Sequence, residues 1–472
     1  MAQVVLIQAS MGFYGDEGIV ADQTSNPPMG LLYIAAYLEK YGVSVRLIDP
    51  FPEQLNLADI LKEIELEKPL VIGISAMTPG IPTAYKMAQA IRGRFGPRPF
   101  IGVGGIHTSV DPGFIDRYPI FDFEVVGEGE VTFYEVLQTV LAGKIPQKKY
   151  FGKIIENLDD LPFPARHLLR GRYFCPHDET EADDPEVTII ASRGCPFHCI
   201  FCSKPGFRDR YRYRSAKNIV DEMERDYKLC NGKFNFVDDT IGANQQRAIE
   251  FCEEIMSRKL KVQFAVQMRA TDASDVFFKK LAASGCREIF FGVESGSNRV
   301  RNEIIEKRVP EEKLFEAVKL CRRYGMQSNF YLMLGFPTET KKDLEDTVNI
   351  GVRTKVDFIG LHVTQIIPGS RLYDLAIKEG KMSNDLLDQY IRGELGNNFF
   401  EVFPKYIPDG LTIKDLEAAR TLAYRKFFIN PGWWYRRIRS YFKHPDRLVK
   451  DWKQFRLGIY VLIHGHTKSA AS

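Results

Sequence analysis

Short apolar runs alternate with helical patterns along the first 145 residues. The runs are nearly continuous and rich in β-branched residues, as is typical of strands buried on both faces of a parallel sheet. They are Gln3–Gln8, Ser44–Asp49, Leu70–Ser75, Pro99–Val103 and Phe123–Val126. Apolar residues at helical spacing fill the stretches between them, which are Gly30–Tyr41, Ala58–Leu66, Pro82–Phe95 and Val131–Leu141. The pattern predicts a doubly wound α/β domain over residues 1–145, with its ligand beyond the carboxyl ends of the strands.

A second alternation of the same kind begins at Glu186. Its predicted strands are Val187–Ala191, Phe234–Val237, Gln263–Val266, Glu288–Val293, Gln327–Leu334 and Phe358–Ile366. Six strand–helix units in about 190 residues predict an open or closed barrel with its chemistry at the carboxyl ends of the strands. Residues 146–185 are rich in Pro, Asp and Lys and lack periodicity, which predicts a linker. Residues 383–472 are helical in pattern and aromatic.

Loops of small and polar residues follow three strands of the first predicted domain. Glycine in such loops allows the backbone to approach a ligand closely, although each glycine alone would equally mark a tight turn. Three such loops at one edge predict a binding cleft. The candidate residues are Ser75 and Thr78 after the third strand, Gly104, Gly105 and His107 after the fourth, and Gly127 and Glu128 after the fifth. For His107, the alternative is a turn residue that caps the next helix.

Composition and charge restrict the class of protein. The chain is 44% hydrophobic and 26% charged, which indicates a packed globular protein and excludes a disordered or collagen-like chain. The net charge of +3 gives the whole molecule no strong attraction to polyanions. No apolar run approaches the roughly 20 residues that span a bilayer, and the first ten residues do not resemble a secretory signal. We therefore expect a cytoplasmic protein.

Basic and aromatic residues alternate near the C-terminal end of the sequence. Residues 421–456 carry a net charge of +8 and include Trp433, Trp434 and Tyr435. This combination suits peripheral contact with a membrane or the wall of a pocket for a large hydrophobic or anionic substrate. It equally suits a helical cap with solvated charges and buried tryptophans. We do not expect a nucleic-acid partner, because the chain lacks a recognised tRNA-binding addition.

Three of the eight cysteines, Cys195, Cys199 and Cys202, lie together directly after the first strand of the second predicted domain. Thiolates are the ligands of iron–sulfur clusters, and three of them can hold three corners of a cubane. No fourth cysteine is nearby in the sequence, so one iron would stay open to a small molecule. A zinc site that adds His198 is the alternative. The scattered cysteines are expected to be small hydrophobic residues in a reducing compartment.

The segment Cys195–Cys202, with the sequence CPFHCIFC, resembles the C-x3-C-x-aromatic-C signature of the radical S-adenosylmethionine (SAM) enzymes. In that family the open iron is chelated by the methionine part of SAM, and electron transfer cleaves SAM to a 5′-deoxyadenosyl radical. The resemblance implies a [4Fe–4S] cluster held by the three cysteines, with Phe201 near the adenine of SAM. It also implies an external electron donor of the flavodoxin or ferredoxin type.

Further residues in register with this motif resemble the SAM contacts of the family. Asp238 and Asp239 stand where relatives often have Gly-Gly-Glu to hold the SAM amino group, so the contact differs in detail. Glu294 stands at the position of a ribose-hydroxyl acceptor, and Gly335 opens the loop beside the adenine. Arg269 is a candidate partner for the SAM carboxylate or a substrate anion. Taken singly, Glu294 or Asp239 would equally be a helix cap or a surface carboxylate.

The first predicted domain resembles the cobalamin-binding module that precedes the barrel in one large branch of the radical SAM enzymes. The resemblance assigns the glycine and polar residues of the three loops to cobalamin, with His107 against the corrin or its tail. The D-x-H-x-x-G motif, which elsewhere supplies a histidine to cobalt, is missing, because Ala9–Gly18 has no histidine. The lower face of cobalt is therefore expected to lack a protein histidine.

The complete resemblance implies an α/β chain in three parts joined by the linker at 146–185. These parts are a doubly wound cobalamin-binding domain (1–145), a partial (β/α)6 radical SAM barrel (186–382) and a helical C-terminal extension (383–472). The implied reaction is C-methylation, in which the radical removes hydrogen from an unactivated carbon and methylcobalamin supplies the methyl group. An alternative is oxidative ring closure, as in the anaerobic magnesium-protoporphyrin monomethyl ester cyclase, on a tetrapyrrole or other large substrate. A remote alternative is a non-catalytic cobalamin or SAM sensor. The substrate is expected to be a small molecule or a lipid-like or tetrapyrrole-like compound.

Overall fold

The first half of the chain forms a parallel six-stranded sheet (sheet A) in a computed structural model that describes residues 1–13, 26–170, 173, 185–203, 210–396 and 398–442. The strand order is β2-β1-β3-β4-β5-β6, and every pairing is parallel. The strands are β1 (Val4–Ala9), β2 (Val45–Ile48), β3 (Val71–Ala76), β4 (Phe100–Gly104), β5 (Phe123–Val126) and β6 (Lys149–Phe151). The doubly wound prediction is confirmed. The order reverses between β1 and β3, where such sheets open a crevice for ligands.

Helices cover both faces of sheet A. They are α1 (Met29–Lys40), α2 (Leu57–Glu67), α3 (Ile81–Phe95), α4 (Ile106–Val110), α5 (Phe114–Arg117) and α6 (Glu130–Leu141). Apolar residues of α1 and α6 form one buried cluster against the sheet. Apolar residues of α2, α3 and α5 form a second cluster on the opposite face. Because both faces are covered, the strands are apolar on both sides, which explains their nearly continuous hydrophobic runs.

Strand β6 lies inside the region for which the sequence predicted a linker. It pairs in parallel with β5 at the edge of sheet A. Only three residues long and partly exposed, it lacks the continuous apolar run of a central strand. An edge strand of this length leaves little periodicity in the sequence. Of the rest of the predicted linker, residues 171–172 and 174–184 lie outside the described residues.

The second half of the chain builds another parallel six-stranded sheet (sheet B), which is open and has the order β14-β13-β12-β11-β10-β7. The prediction of a partial barrel is confirmed. A two-stranded antiparallel ribbon of β8 and β9 follows the first strand. The strands of this half are β7 (Val187–Ile189), β8 (Ser192–Arg193), β9 (Arg212–Tyr213), β10 (Lys233–Phe236), β11 (Gln263–Met268), β12 (Cys286–Glu294), β13 (Gln327–Leu334) and β14 (Phe358–Val363).

The helices of the second half begin at the residues that their N-caps dictate. Ser215 and Thr340 each accept a hydrogen bond from a backbone N–H in the first turn of their helix. Helices α7 to α11 connect strands of sheet B, and α12 follows its last strand. They are α7 (Ala216–Cys230), α8 (Gln245–Ser257), α9 (Asp275–Ser284), α10 (Glu311–Arg323), α11 (Lys341–Thr354) and α12 (Arg371–Lys378).

The C-terminal region is helical, as predicted, and returns to the first half of the chain. Tyr390 donates a hydrogen bond of 2.7 Å to the carbonyl of Pro79, and Tyr118 donates one of 2.7 Å to Asp388. Ile391 is part of the apolar cluster under sheet A. The C-terminal region therefore binds both halves together. Its helices are α13 (Leu386–Ile391), α14 (Phe399–Val402), α15 (Ile413–Phe428) and α16 (Pro431–Tyr441).

The aromatic residues of α16 divide between the core and the surface. Trp433 is buried, and its indole N–H donates a hydrogen bond of 2.7 Å to the carbonyl of Asp357. Trp434 packs against the same core. These contacts support the interpretation of buried tryptophans that cap the barrel. None of the helices formed by the described residues is long and apolar enough to cross a membrane. The predicted helical region beyond residue 442 lies outside the described residues.

Candidate active site between the two sheets

A cavity of about 800 Å³ lies between the carboxyl ends of the strands of sheet A and the first loops of sheet B. Its size falls within the usual range for cofactor pockets. Sheet A contributes several residues that the sequence predicted, and sheet B contributes the start of the cysteine segment. These wall residues are Ser75, Gly104, Gly105, Gly127 and Glu128 on one side and Arg193, Gly194, Asp238 and Asp239 on the other. The predicted edge of the doubly wound domain therefore forms one wall of a cavity that both halves of the chain line.

Backbone conformation explains one of the glycines in the cavity wall. Gly105 has φ +99°, and a Cβ atom there would lie 2.6 Å from the carbonyl oxygen of Ala76 and 3.0 Å from Oγ of Ser75. The loops after β3 and β4 can approach this closely only because position 105 carries no side chain. Gly104 and Gly105 line the cavity without side chains, which suits the close approach of a large ring such as a corrin.

His107 and Thr78 lie behind the wall rather than on it. Nδ1 of His107 is 3.3 Å from Oγ1 of Thr78, and the imidazole is fully buried with its edge against Phe114. Burial lowers the pKa of His107 to about 4, although Asp111 lies nearby and acts in the opposite direction. The imidazole is therefore neutral at physiological pH. The predicted contact of these two residues with cobalamin stays a prediction.

Several residues of the cavity wall were not among the candidates that the sequence predicted. Gln8 lies in β1, and Ser10, Asn26, Met77 and Ser109 lie in the chain after β1, β3 and β4. Oγ of Ser109 accepts a hydrogen bond of 3.0 Å from the backbone N–H of Gly127, so the loops after β4 and β5 are tied together. The position of Ser10 and Met77 directly after predicted strands was the signal that could have identified them.

The cysteine segment lies between β8 and β9 in the chain. It begins at Gly194, which has φ +88°, and Cys195, Cys199 and Cys202 are half-buried. The backbone N–H of Cys202 donates a 3.1 Å bond to the carbonyl of Cys199, which turns the segment back on itself. Within the described part of the chain, no three His, Cys, Asp or Glu side chains converge on a single ion. Thiolates on separate irons of a cubane do not need to converge in that way.

Neighbouring elements hold the cysteine segment in place through its backbone. Arg371 donates a 2.6 Å bond to the carbonyl of His198, and the backbone N–H of Leu372 donates a 3.0 Å bond to the carbonyl of Ile200. The ring of Phe201 packs against Phe336, with ring centroids 5.9 Å apart. The predicted adenine neighbour Phe201 therefore lies beside the loop that follows β13.

Arg269, the candidate partner for the SAM carboxylate or a substrate anion, lies against the cysteine segment. Its guanidinium stacks over the ring of Phe197, with Cζ 3.6 Å from the ring centroid. Burial lowers the pKa of Arg269, while Cys199, Asp272 and Cys195 act in the opposite direction. Its Nε is buried without a hydrogen-bond partner among the described residues. A buried cation with an unused donor fits an anionic ligand at the cluster.

The two adjacent aspartates have different environments. Asp238 is buried and accepts hydrogen bonds of 3.1 Å from the backbone N–H of Ala191, in addition to one from Ser192. It therefore ties the end of β10 to the end of β7. Asp239 is exposed and lines the cavity. Of the predicted pair, only Asp239 has a carboxylate accessible to a ligand.

Glu294 ends strand β12 in a left-handed conformation, with φ +66°. Oε1 accepts a hydrogen bond of 2.7 Å from Nζ of Lys307, and both side chains are buried. Left-handed backbone at a non-glycine residue is uncommon and often marks a functional position. Sequence analysis identified Glu294 but not its cationic partner.

The loop after β13 contains a buried carboxyl group that the sequence analysis did not select. Glu339 is 1% exposed and accepts hydrogen bonds from the backbone N–H groups of Gly335 (2.5 Å) and Phe336 (3.1 Å). Burial raises the pKa of Glu339 to about 7. A Cβ atom at Gly335 would lie 2.5 Å from the carbonyl of Tyr406, which explains the glycine there. The loop is thus fixed from within by Glu339.

Comparison with known families and proteins agrees with this architecture. Residues 20–137 match the B12 binding domain and residues 189–350 match the Radical SAM superfamily. An uncharacterised methyltransferase of Pyrococcus horikoshii is 29% identical over 445 residues, which cover 90% of this chain and 92% of that protein. The anaerobic magnesium-protoporphyrin IX monomethyl ester cyclase of Rubrivivax gelatinosus is 25% identical over 92% of this chain and 78% of its own length.

Among solved structures, the radical SAM methyltransferase TsrM of Kitasatospora setae, with cobalamin and a [4Fe–4S] cluster bound, has a similar fold. It gives a TM-score of 0.64 at 18% identity, covering 80% of this chain and 75% of that protein. The two domain matches show that the chain joins a B12 binding domain to a domain of the Radical SAM superfamily, and the fold agrees with both matches. These two families assign cobalamin binding to the first domain and SAM chemistry to the second.

Proposed function

We propose that the protein is a methyltransferase that modifies an unactivated carbon of its substrate. One observation carries the proposal: a single cavity is walled both by the loops of the B12 binding domain and by Arg193 and Gly194, which lead directly into the cysteine segment. When bound, the three cofactors would supply a 5′-deoxyadenosyl radical and a transferable methyl group within one enclosed space. The methyltransferase name of the relative that matches 90% of this chain supports the same reaction.

The residues of the chain would bind and orient these groups. Cys195, Cys199 and Cys202 would hold the cluster and leave one iron open, as expected from the absence of a fourth nearby cysteine. Asp239 and Glu294 would accept hydrogen bonds from the SAM ammonium and ribose, respectively. The role of the buried Asp238 would be to fix the loop that carries Asp239.

On the other side of the cavity, the loops after β3, β4 and β5 would hold cobalamin. Ser75 would offer a hydroxyl to an amide of the corrin rim, and Gly104 and Gly105 would let the ring approach the backbone. The mostly apolar lining of the cavity would disfavour water beside these groups. Fewer waters would matter because a carbon radical must meet a methyl donor before it meets another reactant.

Product analysis without oxygen tests the proposal. The purified protein would be reconstituted with iron and sulfide and given dithionite, SAM and hydroxocobalamin, while the visible spectrum reports bound corrin. Formation of both 5′-deoxyadenosine and S-adenosylhomocysteine is expected, because SAM becomes S-adenosylhomocysteine when it donates its methyl group. Formation of 5′-deoxyadenosine alone, with corrin bound, would favour oxidative cyclisation over methyl transfer as the reaction. If neither product forms, the remaining alternative is a non-catalytic sensor. A flavodoxin or ferredoxin would take the place of dithionite as the donor in the cell.

We further infer that α16 contacts an anionic membrane surface. Tyr435, Ile438 and Phe442 are exposed along one side of this helix at 67%, 51% and 86%. Basic Arg439 shares that side, and no acidic residue occurs between Ala418 and Pro445. Apolar and cationic side chains together favour anionic lipid. Vesicles of phosphatidylcholine with phosphatidylglycerol should sediment the protein, and neutral vesicles should not. Failure to bind the anionic vesicles would refute the contact.

A further inference from the structure

The loop after β5 is connected to the cysteine ribbon by a buried cluster of ion pairs. Oε1 of Glu128 accepts hydrogen bonds from Nη2 of Arg212 at 2.7 Å and from Nη1 of Arg193 at 3.2 Å. Oε2 of Glu128 accepts a bond of 3.0 Å from Nη1 of Arg212. Burial acts to raise the pKa of Glu128, but the hydrogen bonds from Arg212 and the backbone N–H of Ile155, with the charges of Arg193 and Arg212, outweigh burial and lower that pKa. Glu128 is therefore ionised at physiological pH.

Other groups between the loop after β5 and the β8–β9 ribbon reinforce this cluster of ion pairs. Nη2 of Arg193 is 2.5 Å from Oε1 of Glu130, and its guanidinium lies over the ring of Tyr33 at 5.1 Å. The backbone N–H of Ile155 donates a 2.8 Å bond to Oε2 of Glu128, and the carbonyl of Ile155 accepts a 2.7 Å bond from Arg212. These contacts thus connect α1, the loop after β5 and the chain after β6 to the β8–β9 ribbon.

The two arginines of this cluster belong to the β8–β9 ribbon, between whose strands the cysteine segment lies in the chain. Arg193 and Arg212 are cross-strand partners in the β8–β9 ribbon, and the cysteine segment leaves and returns through them. Like charges directly opposite each other destabilise a strand pair. Glu128 supplies the anion that allows the two guanidinium groups to lie together, so one carboxylate closes the base of the cysteine segment.

Glu128 is also part of the cavity wall, in the loop assigned to cobalamin. We propose that Glu128 is a positioning residue that fixes the cluster segment relative to the cobalamin cavity. It acts through Arg193 and Arg212 rather than on a reacting atom. This inference rests on the proposed function, in which the distance between the cluster segment and the cobalamin cavity matters for methyl transfer. The connection through Glu128 can nevertheless be measured without turnover.

The test compares Glu128→Gln with Glu135→Gln. Glu135 lies on α6, is half-buried and pairs with Lys153, so its variant controls for the loss of a carboxylate in the same domain. Each protein would be reconstituted and assayed for iron content and cobalamin affinity. Electron paramagnetic resonance would then measure the magnetic interaction between bound cobalt(II) and the reduced cluster.

We expect Glu128→Gln to keep its iron and to bind cobalamin within about twofold of the parent protein, but to show an altered cobalt–cluster interaction. The ratio of S-adenosylhomocysteine to 5′-deoxyadenosine should also fall by about tenfold, because the two sites no longer align. Glu135→Gln should match the parent in both measurements. An unaltered cobalt–cluster interaction in Glu128→Gln would overturn the proposal. A tenfold loss of cobalamin affinity would overturn it in favour of direct contact between Glu128 and the cofactor.

A second variant guards against misfolding. If Glu128→Gln fails to fold, the double variant Glu128→Met with Arg212→Met removes the charges together, which buried ion pairs often tolerate. The same altered cobalt–cluster interaction is expected in the double variant, and an unaltered one would contradict the proposal. If the parent protein forms no S-adenosylhomocysteine, methyl transfer fails as a function, while the spectroscopic comparison still decides the role of Glu128.

Discussion

Lys307 Nζ and Glu294 Oε1 are 2.7 Å apart at the end of strand β12, and both side chains are buried. The pair forms because Glu294 adopts a left-handed backbone conformation, which turns its side chain toward Lys307. A Cβ atom at Gly292 would lie 2.7 Å from this carboxylate and 2.9 Å from the ammonium, so the glycine leaves space for the pair. The ammonium therefore lies beside a buried carboxylate where a ribose hydroxyl is expected to bind.

Replacement of this lysine should weaken SAM binding. In Lys307→Met the carboxyl of Glu294 loses its cation and is left buried with its charge uncompensated. We expect the KM for SAM to rise by about tenfold, with iron content unchanged. Exposed Lys313 on α10, which pairs with Glu316, offers a control, and Lys313→Met should match the parent protein. An unchanged KM in Lys307→Met would separate Glu294 from SAM.

The adjacent aspartates should behave differently when each is replaced by asparagine. Asp239→Asn removes an exposed carboxylate from the cavity, so SAM affinity should fall by about tenfold while the melting temperature stays the same. Asp238→Asn weakens the buried bonds to Ala191 and Ser192, so it should lower the free energy of unfolding by about 1–3 kcal/mol. Calorimetry with and without SAM would measure both effects. The reverse pattern would transfer the SAM contact to Asp238.

A methyl group at position 105 should damage the cobalamin cavity. Gly105→Ala places Cβ 2.6 Å from the carbonyl oxygen of Ala76 in a left-handed conformation, so we expect a loss of about 1–3 kcal/mol of stability. Cobalamin affinity, followed by the visible spectrum, should fall as well. Gly93→Ala is the matched control, since Gly93 lies in helix α3 with open space around it. That variant should gain about 0.5–1 kcal/mol. Equal cobalamin affinity in both variants would exclude the loop after β4 from the site.

The buried Glu339 should make the stability of the apoprotein depend on pH. Burial raises its pKa to about 7 from the ordinary 4.5, so the folded state holds this proton more tightly than the unfolded state. The free energy of unfolding should therefore decrease as the pH rises from about 4.5 to 7, which is the interval between the two pKa values. Glu339→Gln, which has no proton to lose, should be more stable than the parent at pH 8 by up to about 3 kcal/mol.

Urea denaturation of parent and variant at pH 5 and pH 8 measures this difference. The exposed Glu345 on α11 serves as the control, because Glu345→Gln should show the same pH dependence as the parent protein. An identical difference between Glu339→Gln and the parent at both pH values would show that Glu339 does not titrate in this range.

Single replacements in the cysteine segment should abolish the cluster. Each of Cys195→Ala, Cys199→Ala and Cys202→Ala removes one of three proposed iron ligands, so the visible chromophore and 5′-deoxyadenosine formation should both be lost. Cys230→Ala is the control, because that thiol is buried beneath α7, away from the segment. It should keep its iron. Full iron content in any of the three variants would remove that cysteine from the ligand set.

The sequence predicted the two sheets well because their central strands are buried on both faces. Strand β1, for example, is a nearly continuous apolar run, and strand β13 (Gln327–Leu334) has the predicted bounds. The three-residue strand β6 was missed because an edge strand needs no such run. The candidate residues after the strands were found for the same topological reason, since the carboxyl ends of parallel strands meet at one edge.

Contacts between the two halves could not be read from the sequence. Glu128 binds Arg193 and Arg212, which are 65 and 84 residues away along the chain. No local pattern links a glutamate in a glycine-rich loop to arginines at this distance. His107 illustrates the same limit, because a polar residue in such a loop is expected to be accessible, whereas packing against Phe114 and Thr78 buries it completely.

The return of the C-terminal region to sheet A has a consequence for how the cofactors enter. Phe400 in α14 supplies one part of the cavity wall, and Tyr390 in α13 is bonded to the loop after β3. The strands of both sheets all precede these residues in the chain. The C-terminal region therefore supplies the last part of the wall to be synthesised. Until that region docks, cobalamin would meet a cavity that lacks this part of its wall.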